Sequence, residues 1–286
     1  MTTTISATLF NALRKGKEQL STEALHRILC FVESQRTEDS AFKDKSGKAD
    51  LYYTSFGLTL SYLLGMKNTD AYLRQQTAEH LDLVHYAAFM RCKRISRLMR
   101  YGKAGLLPTA LFPTKIKPLE AFKVIPNGDI QSPYTQFLWL SLREDAGQRI
   151  KDRKRIMDSL AGYQAPRGGY MNTKDGGAAT TNATVAALAI KGRLGGYKAN
   201  EDVFHLRDSQ DVSGGFRAAE VSPVPDLLST ATALFLLSCY RIRPNYPARE
   251  FIEAHWLDSG GFAATLPEDS SDVEYTFYGL LALGSI

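Results

Sequence analysis

The chain is poor in cysteine and histidine, with three of the first and five of the second in 286 residues. Cys30, Cys92 and Cys239 are far apart and odd in number. That excludes a disulfide framework or a thiolate zinc cluster, and they read as small apolar core residues in a reducing compartment. Long apolar runs are missing as well. The richest stretch, TATALFLLSCY at residues 230–240, is about half the ~20 residues a bilayer-spanning helix needs, so no transmembrane segment is expected. The opening MTTTISATLFNALRKGK puts its charges after its few apolar residues, the reverse of a secretory signal, and a cytoplasmic protein is expected. No excess of one charge stands out. Thirty-five Lys and Arg against 30 Asp and Glu leave +5, spread along the chain, which argues against nucleic acid as a partner. Strand-like alternation is nowhere strong, while 44% hydrophobic residues are ample for a core.

What the sequence does contain is a repeat. Residues 35–64, 164–190, 210–237 and 258–283 share one layout: a polar turn, a small-residue pair or its remnant, an aromatic, a polar loop and an apolar helix. The aromatics are Phe42, Tyr170, Phe216 and Phe262. Thr181, Thr230 and Thr276 mark equivalent points, 49 and 46 residues apart, and Asp stands four residues before Thr54, Thr230 and Thr276. A weaker copy ends in QSPYTQFLWLSL, with Thr135 at the marker position, 81 residues after Thr54. A divergent unit is therefore placed within residues 66–115, giving about six units.

Each unit reads as two helices. Upstream of the Gly-Gly turn lies an amphipathic stretch, as in residues 21–34 or 247–257. Downstream lies a helix apolar nearly all round, as in residues 227–239 or 273–283, which must be buried on every side. Asp50, Asp226 and Asp272 precede such helices as N-caps, and the Gly pairs at 168–169, 214–215 and 260–261 end the outer ones. The expected fold is all-α, a single domain over 1–286 with an inner ring of apolar helices and an outer ring of amphipathic ones. An open solenoid would give a similar alternation. Residues 1–18 are expected to be a flexible leader.

Gln-x-x-x-Gly-Gly-Phe/Tyr, a polar loop, then Asp-x-x-x-Thr opening an apolar helix resembles the prenyltransferase and squalene-cyclase repeat, over roughly residues 20–65 and 125–286. The resemblance implies an α/α toroid whose central aromatic cavity, in the enzymes, holds an isoprenoid chain. It further implies three zinc-ligand positions in the protein prenyltransferases: an Asp, a Cys two residues on, and a His just before a later Thr. Here these are Asp226, Leu228 and Tyr275, and no metal or other cofactor is expected. Between Phe216 and Asp226, where the family carries diphosphate-binding cations, only Arg217 is basic. The Asp-x-Asp-Asp acid string of the protonating cyclases is absent; Glu268, Asp269 and Asp272 are the densest carboxylates.

Candidate site residues follow from the repeat phase. Just before the marker Thr stand Tyr53, Tyr134, Thr180, Ser229 and Tyr275, and two residues after it Phe56, Phe137 and Tyr278. Tyr53, Phe56, Tyr134, Phe137, Ser229 and Tyr278 are candidates for lining an apolar ligand; packing of the rings into the centre is the competing reading. Asp226, Asp272 and Tyr275 are the candidate catalytic groups, although an Asp at every repeat fits capping better. His80, Asp82 and His85 form the one His/carboxylate cluster, at spacings that do not share a helical face. Residues 90–103 carry Arg91, Lys93, Arg94, Arg97, Arg100 and Lys103, a solvated face or a contact for a diphosphate, an acidic protein partner or an anionic surface. Three functions stay open: isoprenoid chemistry of the prenyltransferase or cyclase kind, a non-catalytic toroid binding a lipid or peptide, and an interaction subunit.

Overall fold

The computed structural model describes residues 4–106, 114–122, 131–151, 153–174 and 176–286. Six helices form the inner layer: α3 (Leu51–Leu64), α5 (Leu83–Tyr101), α6 (Pro133–Asp145), α8 (Thr181–Gly195), α10 (Leu227–Tyr240) and α12 (Val273–Leu283). Each packs on the next, and α12 returns to α3, so the ring is closed. The outer layer is thinner: α2 (Thr22–Ser34), α4 (Ala71–Gln75), α7 (Arg153–Ser159), α9 (Glu201–Asp208) and α11 (Arg249–Glu253). Strand is confined, among the described residues, to two-residue ribbons and isolated bridges, Phe42–Lys43 with Ala49–Asp50 and Phe216–Arg217 with Pro225–Asp226 being the ribbons.

The inner helices are held at their starts by one repeated device. Asp50, Asp226 and Asp272 cap α3, α10 and α12, each side chain accepting from the backbone N–H three residues on and satisfying a donor that the first turn leaves free. Four residues after each cap, a threonine hydroxyl donates back to the cap carbonyl, at 2.6–2.7 Å. The same hydroxyl accepts the N–H of the unit's buried aromatic: Phe42 to Thr54 at 2.9 Å, Phe216 to Thr230 at 2.8 Å, Phe262 to Thr276 at 3.2 Å. The ring of Phe42 then lies flat on Gly57, where any Cβ would collide with it.

That geometry corrects the repeat phase in two units. Tyr170 donates to Thr184 at 2.9 Å, not to Thr181, and the cap of α8 is Thr180, whose side chain accepts from Ala183. Thr181 instead donates to the Arg217 carbonyl. In α6 the cap is Ser132, so Gln136, rather than Thr135, stands at the marker position. Adjacent threonines at 180 and 181 hid the shift.

Two further segments differ from expectation. Residues 5–18, read as a leader, form helix α1 (Ile5–Glu18), with Ile5, Ala12, Leu13 and Gly16 buried. It crosses the C-terminal ends of the inner helices. Its first residues bond to the end of α6, Ile5 N–H to Glu144 and Ser6 Oγ to Asp145. Its far end reaches α3 and α12, with Lys17 Nζ donating to the Leu63 carbonyl and Gln19 Nε2 to that of Leu283. The basic run 90–103 lies mostly on α5, an inner helix, yet Lys93, Arg97, Arg100 and Lys103 are exposed; residues 107–113 of the divergent unit lie outside the described residues. Cys92 is buried, Cys239 half-buried and Cys30 exposed, so Cys30 is no core residue.

Thr230→Val should lower unfolding stability by about 1–3 kcal/mol, because it strands the buried Phe216 N–H; Thr232→Val, whose hydroxyl bonds only within its own helix, should be near neutral in the same denaturation series. Gly16→Ala drives a Cβ into the Leu280 carbonyl. It should cost about 1–3 kcal/mol, as overpacking does, and raise amide exchange in α1 ahead of the inner helices.

Candidate functional site

The second residue after the cap brings three of the inner helices, α3, α6 and α12, toward one another. On α3 this is Tyr52 and on α12 Glu274, and Tyr52 Oη donates to Glu274 Oε1 at 2.6 Å. On α6 it is Tyr134, close enough to feel the charge of Glu274. Asn182 and Leu228 hold the place on α8 and α10. One turn deeper, Phe56 lies edge-on to Tyr52 and Phe277, with centroids 5.0 and 5.1 Å apart, and tilts against Tyr278 at 5.8 Å. Edge-to-face packing of this kind suits the ring quadrupoles. Leu228, Thr232 and Phe235 of α10 each keep some accessible surface on a helix otherwise mostly buried, a stripe at helical spacing.

Polarity in this apolar setting is concentrated on few groups. Glu274 is 8% exposed, and burial pushes its carboxyl from 4.5 to about 7, against the opposing effect of the Tyr52 hydrogen bond. Burial likewise raises the Tyr52, Tyr134 and Tyr278 hydroxyls. Arg91 of α5 acts on Tyr134 and Tyr278 from the other side, lowering both.

At the rim, Lys45 arrives from the loop between Phe42 and Asp50. Its Nζ lies 3.6 Å from Glu268, 3.9 Å from Asp272 and 5.2 Å above the Tyr275 ring. Burial raises the Asp272 carboxyl and the Tyr53 and Tyr275 hydroxyls.

The residues singled out from sequence thus separate into three places. Tyr53, Asp272 and Tyr275 meet at the rim beside Lys45. Phe56, Tyr134, Phe137 and Tyr278 belong to the inner layer, Phe137 half-buried against the core. Asp226 and Ser229 form a cap pair, Asp226 Oδ1 accepting from Ser229 N–H at 2.8 Å, and Ser229 is 1% exposed. The His80 cluster is a cap too: Asp82 binds the His85 N–H and sits 2.9 Å from His85 Nδ1. Sequence reasoning missed Glu274, Tyr52 and Lys45. The signal was available for Glu274, the lone carboxylate inside the apolar run VEYTFYGLLAL.

Residues 121–222 match the profile of the prenyltransferase alpha-alpha toroid domain. The fold is a prenyltransferase-like α/α toroid. No curated protein is matched by the sequence. Among solved structures, Candida albicans protein geranylgeranyltransferase-I complexed with GGPP aligns at 12% identity and a TM-score of 0.46, over 99% of this chain and 83% of that one, a superposition too loose to carry an argument about the site. A zinc ion fits this toroid poorly at the three implied positions. Leu228 offers no donor atom, Tyr275 offers a phenol held above its usual value, and Asp226 spends one oxygen on its own helix, whereas zinc takes thiolate, imidazole and carboxylate. Among the described residues no group of three or more His, Cys, Asp or Glu is placed to hold a metal. Nor, among them, is any helix long and apolar enough to cross a membrane.

Glu274 binds its proton more tightly folded than unfolded, so it stabilises the fold fully below pH 4.5 and ceases to as pH rises through about 7. At about 1.36 kcal/mol per pH unit across that window, wild type should lose about 3 kcal/mol relative to Glu274→Gln between pH 4 and pH 8. Parallel urea melts check the difference, and equal pH profiles for the two proteins would contradict it.

Proposed function

We propose that this toroid binds an isoprenoid or comparably apolar chain among the rings of its inner layer, as a prenyltransferase-like or terpene-cyclase-like protein. The observation that carries the reading is the closed ring whose inward positions bring Tyr52, Phe56, Tyr134 and Tyr278 around one protonatable carboxylate, Glu274. Aromatic faces bury an apolar chain and, where positive charge develops on it, attract that charge. Glu274 can give or take a proton near neutral pH, where general acid–base work is most effective. Tyr53, Asp272, Tyr275 and Lys45 would meet the end of the chain nearest the rim, while Asp226 and Ser229 hold the start of α10.

The misfit of zinc at Leu228 and Tyr275 favours a second reading, a toroid that binds an apolar ligand without transforming it. The same experiment separates the two. Purified protein is incubated with farnesyl and geranylgeranyl diphosphate, with and without Mg²⁺, and both the bound fraction and the products are measured by mass spectrometry. Binding that falls at least tenfold in Leu228→Trp, which fills the inner face of α10, supports the chain site. Turnover lost in Glu274→Gln with binding retained supports catalysis; binding without turnover in wild type supports the second reading. If wild type neither binds nor converts either compound, both fail.

A further inference from the structure

The ring is not equally tight all round. Between α5 and α6 lies a cavity of about 240 Å³, walled by Leu138, Leu142 and Met90 and by five cationic side chains, Arg91, Lys93, Arg94, Arg97 and Lys115. Among the described residues, a single carboxylate, Asp145, stands against these. That carboxylate is already engaged: Arg94 Nη1 lies 3.0 Å from it and Ser6 Oγ donates to it at 2.7 Å. Arg94 also donates to the Asp145 carbonyl. Lys93, Arg97 and Lys115 are exposed at the outer edge, and Arg91 is half-buried further in. Arg91 has no hydrogen bond or ion pair with any described residue, and its charge reaches inward as far as Tyr134 and Tyr278.

We infer that this seam is a binding site for a phosphate-type oxyanion, with Arg91 as its innermost ligand. Five cations converging on one small space repel one another, and the one carboxylate, paired with Arg94 and within reach of the Arg91 charge, offsets a single unit of that charge. A multiply charged anion supplies the missing countercharge. The guanidinium of Arg91 presents a planar fork of donors that matches phosphoryl oxygens two at a time. Size narrows the choice. Pockets for drug-sized ligands run to about 300–1,000 Å³, so this space suits a phosphate or diphosphate group, not a polypeptide or a long chain. The apolar wall of Leu138, Leu142 and Met90 is compatible with a short organic substituent on that group. The cap phase explains why Arg91 points inward: it lies nine residues after Asp82, on the same face as Ser141 of α6, nine residues after Ser132. This inference goes beyond the chain-binding reading and stands without it.

The test is titration calorimetry of the full chain with inorganic diphosphate, with inorganic phosphate and geranyl diphosphate as parallel arms. Wild type should show one saturable site for diphosphate that weakens as salt rises. Arg91→Gln should raise Kd at least tenfold, and Arg97→Gln, an exposed change that leaves the fold intact, should raise it several-fold. Arg14→Gln, on the distant exposed face of α1, should leave it unchanged. Tighter binding of geranyl diphosphate than of inorganic diphosphate marks the source as the headgroup of an apolar molecule; the reverse order marks a free anion. No saturable binding by wild type, or undiminished binding by both Arg91→Gln and Arg97→Gln, overturns the proposal. Diphosphate binding that persists when farnesyl and geranylgeranyl chains fail to bind leaves this site standing and removes only the chain reading.

Discussion

Everything in this ring depends on a threonine hydroxyl used twice. In each well-formed unit of α3, α10 and α12 it donates to the carbonyl of the cap residue and accepts the N–H of the buried aromatic. One atom therefore fixes where the helix starts, where the preceding loop ends and how deep the aromatic sits. The aromatic N–H is buried in all three units, so losing the hydroxyl leaves that donor without water to replace it. The angle at which the helix enters the ring is set at the same point. That in turn decides which residue, two positions past the cap, faces its counterparts across the middle.

The electrostatics of the two ends follow from the helices running in parallel. At the carbonyl ends, Lys17 of α1, Gln19 just beyond it and Arg94 of α5 bind the free backbone oxygens of α3, α12 and α6, and two of these three donors are cations placed where the helix dipole is negative. At the amide ends stand the capping carboxylates. Glu274 tests the balance between dipole and burial. A helix N-terminus favours an ionised carboxylate by about 0.3–1 kcal/mol, yet its carboxyl is held at about 7. Burial outweighs both the dipole and the hydrogen bond from Tyr52.

Much of the architecture was legible in the letters, because a cap and a buried aromatic are needed in every unit and leave repeated marks. The all-helical ring, the caps at Asp50, Asp226 and Asp272, and the inner helices at 227 and 273 all came from those marks. The phase in α8 was misread because Thr180 replaces Asp as the cap and Thr181 stands beside it as a decoy. The place of α5 was hidden for a different reason: its sequence is cationic, so nothing in its composition announces an inner helix. Glu274 belongs to no cluster of carboxylates: a buried acid held near neutrality stands alone in an apolar run. Arg91 is marked in the sequence only as one of six cations in the run 90–103, and what sets it apart from the other five, like the place of Lys45, comes from neighbours far along the chain.

Helix α1 changes how the ring is held. Bonded to α3, α6 and α12 across their carbonyl ends, it spans the ring as a strut. Moving α6 away from α12 then breaks hydrogen bonds at one end of α1 as well as the packing between neighbours. The ring thus keeps its closure by a second route, and a change that loosens one inner seam is resisted from the opposite side.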